Sequence, residues 1–120
     1  TRDRFAAPSF VQNEPRKTFL YLDMSALNPP REPDFLALMR SETGPKADDL
    51  AKLEVPTLLI AGSEDRVIPN AVMKRCHELI PGSRYEVIAG AGHSVFYEKP
   101  EEFNALLTEF FSAILQQGKN

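Results

Sequence analysis

A histidine and an aspartate in two loops of this 120-residue chain have the chemistry to hold and move a proton. Asp65 lies in the loop after the apolar run 55–61, and His93 lies in the loop after the run 85–89. A carboxylate that orients an imidazole supplies the acid and the base of a nucleophile–base–acid triad. The sequence therefore predicts two of the three members of a triad, with Asp65 orienting His93.

The elements around these loops predict that the two side chains meet. Both apolar runs indicate strands, and the segment between them repeats its apolar residues at helical spacing. A strand, a helix and a second strand form a right-handed crossover, so the strands are parallel and their carboxyl ends share one edge of the sheet. Open α/β sheets bind ligands at that edge. We therefore expect Asp65 and His93, 28 positions apart, to face each other across one crevice.

The neighbours of these two residues leave alternatives open. Glu64 precedes Asp65 and is the rival acid, but adjacent side chains point in different directions, so we expect only Asp65 to serve. Gly90 and Gly92 bracket the approach to His93, where they allow a sharp turn that exposes the imidazole. The structural alternatives are an ordinary turn aspartate and a surface or capping histidine.

The third member of a triad has no good candidate in this sequence. Ser63 and Ser94 adjoin the two loops, but neither has the flanking glycines or the strand-to-helix setting of a nucleophile elbow. Cys76 lies on an apolar helix stripe and is expected to be a small buried hydrophobe, with His77 solvated beside it. Metal-ligand spacing and a phosphate-binding glycine loop are both missing from the sequence, so we expect no metal and no cofactor.

The composition is that of an acidic globular chain. The net charge is −3, hydrophobic residues make up 42%, and no cluster of Lys and Arg exceeds a pair. The longest apolar run is far shorter than the roughly 20 residues of a membrane span, and the first residues are polar, unlike a signal peptide. We expect a cytoplasmic protein that binds neither nucleic acid nor membrane, while the sequence leaves its oligomeric state open.

The chain divides into two parts that differ in proline content and in the regularity of their apolar pattern. Residues 1–50 contain six of the ten prolines, and we interpret them as the helical, Pro-rich tail of a cap or lid. Residues 51–120 are regular and carry both strands. Helices are expected over 17–27, 34–41 and 48–53, then after Asn70, which can cap the next helix, and in the segment after Lys99. Four side chains of the first part are candidates to line an apolar lid: Phe19, Tyr21, Phe35 and Met39.

The last helix has the most regular pattern, and it needs a sheet face on which to pack. Its apolar residues recur at helical spacing, and we expect Phe110 to be buried. Two strands supply little sheet and make a poor independent core. We therefore expect the chain to be the C-terminal part of a longer protein, with a trimmed intact domain as the alternative. The stripe consists of Phe103, Leu106, Leu107, Phe110, Phe111 and Ile114.

Three motifs together resemble the C-terminal third of the α/β-hydrolase superfamily. They are Gly62-Ser63-Glu64-Asp65 with Pro69 after it, Gly90-Ala91-Gly92-His93, and Glu98-Lys99-Pro100-Glu101-Glu102-Phe103. The resemblance is dense over 53–115 and implies an α/β fold, in which the last part of a parallel sheet with flanking helices follows a helical cap segment. In that family the acid follows the penultimate strand and the histidine follows the last. The resemblance thus implies Asp65 as the triad acid and His93 as the triad base.

The resemblance implies a hydrolase but leaves its chemistry open. We expect an esterase-like enzyme that acts on small apolar esters, with the triad serine and the oxyanion donors in an N-terminal part of the same fold outside this sequence. This chain by itself is then expected to be inactive. One alternative is a haloalkane dehalogenase or epoxide hydrolase, which uses an Asp nucleophile. The other is a non-catalytic fragment or binding module.

Overall fold

The computed structural model describes residues 4–30, 34, 37 and 46–118. The described strands form a two-stranded parallel sheet in the second half of the chain, and helices precede, connect and follow the two strands. Within the described ranges, no helix is both long and apolar enough to cross a bilayer. The described elements are α1 (Pro8–Asn13), α2 (Pro15–Ala26), α3 (Ala47–Leu50), β1 (Leu58–Gly62), α4 (Asn70–Leu79), β2 (Arg84–Ile88), α5 (Val95–Glu98) and α6 (Pro100–Gln117).

The two strands pair in parallel, as predicted. Leu58 lies opposite Arg84 and Gly62 lies opposite Ile88, while α4 connects the strands and contacts both of them. The first strand begins three residues later than the apolar run, because Pro56 has no N–H to donate to a ladder. The carboxyl ends of β1 and β2 therefore lie side by side, which places the two predicted loops at the same edge.

Hydrogen bonds extend the pairing past the strand ends and join the two loops. The Ser63 N–H donates to the Ile88 carbonyl at 3.0 Å, and the Glu64 N–H donates to the Ala91 carbonyl at 2.8 Å. The Gly90 N–H donates to Ser63 Oγ at 2.9 Å. Gly90 has a φ of 67°, a left-handed conformation that glycine adopts without the steric cost of a Cβ. The loops after the two strands are thus held against each other by their own backbone.

The described residues of the first part of the chain include two longer helices, and their boundaries differ from the predicted ones. The helix expected over 17–27 begins at Pro15, and the helix α1 before it was not predicted. Each begins with a proline, whose fixed φ and missing N–H suit the first helical position. The helix expected over 34–41, with Phe35 and Met39, lies outside the described residues apart from positions 34 and 37.

Three expectations about α4 are wrong. Asn70 was expected to cap this helix but is its first residue, because Pro69 occupies the capping position. The Asn70 amide instead donates to the Gly62 carbonyl at 3.0 Å. His77 is half-buried rather than solvated, since Nδ1 lies 2.8 Å from Ser83 Oγ. Cys76, expected to be buried, is a half-buried free thiol.

The last helix begins at Pro100 as predicted, but its apolar stripe is not buried. Within the described part of α6 no residue is buried, and Phe110 is only half-buried. Phe103 and Leu106 pack against a core cluster at the ends of the strands. The prediction that Phe110 is buried is wrong, because the sheet of β1 and β2 supports the first turns of the helix and leaves later ones uncovered.

Two small clusters form the described core. One lies at the start of α1, where α5 packs against it, and the other joins the end of β2 to α6. The first contains Ala6, Ala7 and Phe10, with Tyr97 against it, and the second contains Ile88, Ala91 and Val95, with Ile60 against it.

Candidate active site

Asp65 and His93 form a hydrogen-bonded pair at the carboxyl edge of the sheet. Nδ1 of His93 lies 3.0 Å from Oδ2 of Asp65, so the predicted juxtaposition is present. The Asp65 side chain is 6% exposed, whereas the His93 side chain is 40% exposed. The carboxylate is therefore shielded while the imidazole keeps an open side. A carboxylate in this position can accept the Nδ1–H and hold the ring in one tautomer.

The second oxygen of Asp65 fixes the carboxylate in place. Oδ1 accepts the backbone N–H of Val67 at 2.7 Å and that of Ile68 at 3.0 Å. The turn that follows β1 therefore sets the orientation in which the other oxygen meets the imidazole. Glu64, the rival acid, is exposed and takes part in the site through its backbone.

The environment of Asp65 favours its ionised form. Burial raises the pKa of Asp65, but the hydrogen bond from the His93 ring and those from the Ile68 and Val67 N–H groups outweigh burial and hold the pKa below its ordinary value. Asp65 is therefore an acceptor at neutral pH, as an orienting acid requires.

The backbone on both sides of His93 is also held. The Gly92 N–H donates to Glu98 Oε2 at 2.8 Å, and the Ser94 N–H donates to the Phe5 carbonyl at 2.7 Å. The imidazole therefore projects from a fixed loop rather than from a free one, although the ring itself is exposed.

Neither serine beside the loops forms a described hydrogen bond with the imidazole. Ser94 is 2% exposed and its Oγ donates to the Tyr21 hydroxyl at 2.8 Å, while Ser63 Oγ accepts from Gly90. Among the residues that the structure describes, His93 Nε2 has no hydrogen-bond partner. The pair thus leaves open the ring nitrogen that a general base uses.

An aromatic cluster fastens α2 to the segment after His93. Tyr21 stacks on Phe5 at 4.1 Å between ring centroids and meets the edge of Tyr97 at 5.2 Å. The Tyr97 hydroxyl donates to the Lys17 carbonyl at 2.8 Å. Tyr21 was predicted to line a lid, but no local pattern indicates these contacts, because they join segments about 75 positions apart.

An open cavity of about 290 Å³ lies between α2 and α5. It begins three residues past His93, and the side chains around it are mostly apolar or aromatic. Phe96 is 55% exposed here. The lining residues are Tyr21, Met24, Ser25, Asn28, Phe96 and Tyr97.

Among the described residues, no group of three or more His, Cys, Asp or Glu side chains is arranged to hold a metal ion.

Comparison with known proteins assigns the fold. A family model described as the alpha/beta hydrolase fold matches residues 4–100. The chain belongs to this family. A solved thermophilic esterase from Thermogutta terrifontis superposes on the chain with a TM-score of 0.82 at 29% identity, covering 95% of this chain and 42% of the esterase. The predicted fold class and family resemblance are therefore confirmed.

Curated relatives of this alpha/beta-hydrolase chain carry several names. This chain is 40% identical to a proline iminopeptidase of Lactobacillus helveticus over 63 residues. The matched region is 52% of this chain and 21% of the peptidase. It is 32% identical to a polyketide synthase of Burkholderia thailandensis over 115 residues, and the matched region is 95% of this chain and 5% of the synthase. The chain thus spans less than a quarter of the length of each of these two relatives.

Proposed function

We propose that this chain carries the acid and the base of an acyl hydrolase, with Asp65 orienting His93. The observation that supports this most directly is the 3.0 Å contact between Asp65 Oδ2 and His93 Nδ1, on an imidazole whose Nε2 has no hydrogen-bond partner among the described residues. In the proposal, a serine from another part of the same fold lies at Nε2. Residues 1–50 serve as the tail of a cap, and residues 51–120 serve as the last part of the hydrolase core.

The proposed reaction is acyl transfer through a covalent intermediate. His93 Nε2 takes the serine proton as the serine oxygen attacks the carbonyl carbon of the substrate, and the imidazolium returns that proton to the leaving group. A water molecule then attacks the acyl-enzyme while His93 takes its proton, and the return of that proton to the serine oxygen releases the carboxylic acid. Asp65 stays ionised throughout and stabilises the imidazolium, which agrees with its lowered pKa.

The names of similar proteins support acyl chemistry. Besides the thermophilic esterase, they include a pimeloyl-[acyl-carrier protein] methyl ester esterase of Neisseria meningitidis, 34% identical over 68 residues. The substrate we propose is a small apolar ester, because Met24, Phe96 and Tyr97 give the cavity beside the loop a mainly apolar wall. The thermophilic esterase is more than twice as long as the region that matches this chain. We place the serine in the part of the fold that this sequence does not cover.

Labelling of the complete protein with a fluorophosphonate probe tests the proposal. A serine activated by His93 reacts with the probe, so we expect labelling that is lost in His93→Ala and strongly reduced in Asp65→Ala. Glu64→Ala, which changes the exposed neighbouring acid, is the matched control and should label like the wild type.

Failure of the complete, folded protein to label would contradict the serine mechanism. An Asp nucleophile predicts a different result: after a single turnover in ¹⁸O-labelled water, the heavy oxygen enters an aspartate of the protein. Labelling that persists in His93→Ala would contradict the role of His93 itself.

A further inference from the structure

Glu98 is a buried acid that the proposed reaction does not use. It is 6% exposed, and its Oε2 accepts two backbone N–H groups, from Gly92 and from Ala7, each at 2.8 Å. Ala7 is 91 positions away and Gly92 is 6 positions away. Burying a carboxyl is costly unless hydrogen bonds compensate, and bonds to an ionised acceptor are among the stronger ones. One oxygen atom thus ties together two distant segments of the chain.

The short helix α5 brings Glu98 to this position. The Glu98 N–H donates to the Ser94 carbonyl at 3.0 Å, which closes a single helical turn directly after His93. From this helical turn the Glu98 carboxylate reaches back to Gly92, the residue that precedes His93. The other oxygen, Oε1, is buried and has no hydrogen-bond partner in the described part of the chain. The hydrogen bonds of the carboxylate are therefore directed at the two backbone N–H groups.

The segment held by Glu98 contacts the His93 loop on both sides. Ala7 shares Glu98 Oε2 with Gly92, and the Phe5 carbonyl accepts the N–H of Ser94 at 2.7 Å. A Cβ added to Gly92 would lie 2.3 Å from the Ala7 nitrogen, so the two backbones are in direct contact. The backbone position of the loop therefore depends on the segment that Glu98 anchors.

We propose that Glu98 is a positioning residue for His93, and this rests on the proposed function in that His93 is the base. Glu98 does not contact the imidazole. Asp65 sets the rotation and tautomer of the ring, whereas Glu98 fixes the backbone from which the ring projects. A displacement of about 1 Å in a reacting group can cost about 100-fold in rate. Loss of the Glu98 acceptor should therefore slow the chemical step more than it weakens substrate binding.

Three variants of the complete protein test this role, with p-nitrophenyl butyrate as the substrate. Glu98→Met keeps the length of the side chain but removes the acceptor, and we expect kcat to fall by about 10- to 100-fold with little change in KM. Glu98→Gln keeps an oxygen that can accept both N–H groups, so we expect it to retain kcat to within about threefold. Glu102→Met makes the same apolar change at an exposed position of α6 and should behave like the wild type.

Amide hydrogen exchange measures the positioning without any turnover. We expect the Gly92 and Ala7 N–H groups to exchange at least about tenfold faster in Glu98→Met than in the wild type, and to be protected again in Glu98→Gln, because a lost hydrogen bond exposes each group to local opening. If Glu98→Met does not fold, Glu98→Asp replaces it. That variant is one methylene shorter, so its carboxylate withdraws from the two amides, and kcat should fall about tenfold.

The outcomes separate this inference from the proposed function. If His93→Ala abolishes turnover while Glu98→Met keeps a wild-type kcat, the positioning role is wrong and the function of His93 stands. If His93→Ala retains turnover, the proposed function is wrong whatever Glu98 does. If Glu98→Met and Glu98→Asp both fail to fold while Glu102→Met folds, Glu98 serves the fold as a whole, and the positioning role is again wrong.

Discussion

At the scale of single residues, the site depends on the different tasks of the two oxygens of Asp65. Oδ2 meets the imidazole, whereas Oδ1 accepts the backbone N–H groups of Val67 and Ile68. The backbone bonds fix the carboxylate before any substrate arrives, so the orientation of His93 is built into the turn after β1. Backbone hydrogen bonds to Oδ1 set the position of the side chain, whereas its charge acts on the imidazole through Oδ2. A substitution can therefore remove the charge and keep the position.

Asp65→Asn is expected to keep the turn and to lose the function of the acid. The amide oxygen can still accept from the backbone, but the NH₂ group would then face Nδ1 and favour the tautomer with its proton on Nε2. That ring cannot accept a proton from a nucleophile, so we expect kcat of the complete protein to fall roughly 10³- to 10⁴-fold. Steady-state kinetics measure the loss, and circular dichroism checks the fold. A loss smaller than about tenfold would contradict the orienting role.

The lowered pKa of Asp65 also predicts how stability depends on pH. A group whose pKa is lower in the folded state stabilises the protein above its ordinary pKa, which is 3.8 here, and loses that contribution as the pH falls through the folded value. We expect the free energy of unfolding of the wild type to exceed that of Asp65→Asn at pH 7, and the difference to shrink below about pH 4. Urea denaturation between pH 7 and pH 2 measures the free energy of unfolding of both proteins. A difference between them that stays constant over this range would contradict the prediction.

The sequence predicted Asp65 and His93 but not Glu98, and the reason is physical. The first two follow strands whose carboxyl ends must meet once the strands are parallel, so topology brings them together. Glu98 acts on the N–H groups of Ala7 and Gly92, and every residue except proline carries such a donor. A partner of this kind leaves no pattern in the sequence, and the contact becomes evident only from the folded backbone.

At the scale of elements, the two strands and the helices after them were predictable because each depends on local pattern. Parallel pairing follows from the crossover, and α6 follows from its apolar spacing and Pro100. The burial of Phe110 was not predictable in the same way. It depends on how much sheet lies beneath the helix, which is a property of other strands rather than of the helix itself.

The close approach of the two loops makes the end of β1 sensitive to a single methyl group. A Cβ on Gly62 would lie 2.2 Å from the Gly92 carbonyl oxygen, and backbone atoms cannot move aside cheaply. We expect Gly62→Ala to lower the free energy of unfolding by about 1–3 kcal/mol and to reduce activity of the complete protein, since the clash displaces the His93 loop.

Gly118→Ala is the control for this substitution. A Cβ at Gly118 would meet its nearest atom at 3.8 Å, an ordinary contact, so we expect a change within about 0.5 kcal/mol. Urea denaturation of both variants measures the difference. Equal stability of Gly62→Ala and the wild type would show that the loops are not packed as closely as the structure has them.

At the scale of the whole molecule, the chain exposes more surface than a domain of its size usually does. Its accessible surface is 9160 Å², whereas a monomer of 13.5 kDa exposes about 6500 Å². Its radius of gyration is 16.7 Å, against about 13.6 Å for a compact domain of this length. Large apolar side chains are among the exposed groups, including Val87 on β2 and Leu115 on α6. These values support the proposal that further parts of the same fold cover this surface.

Phe110 gives a quantitative test of that proposal. The sheet of β1 and β2 leaves this ring half-buried, and further strands of the fold would extend the sheet beneath α6. In the complete protein we therefore expect Phe110→Ala to lower the free energy of unfolding by about 3–5 kcal/mol, the cost of truncating a fully buried ring. In the 120-residue chain by itself the same substitution should cost clearly less, because part of the ring already faces water.

Gln116→Ala, at an exposed position of the same helix, is the control in both proteins and should change stability by less than about 0.5 kcal/mol. Urea denaturation of the two variants in each protein gives the four values. A larger cost for Phe110→Ala in the complete protein means that additional sheet covers the ring. The same small cost in both proteins would mean that no further sheet covers Phe110 beneath α6.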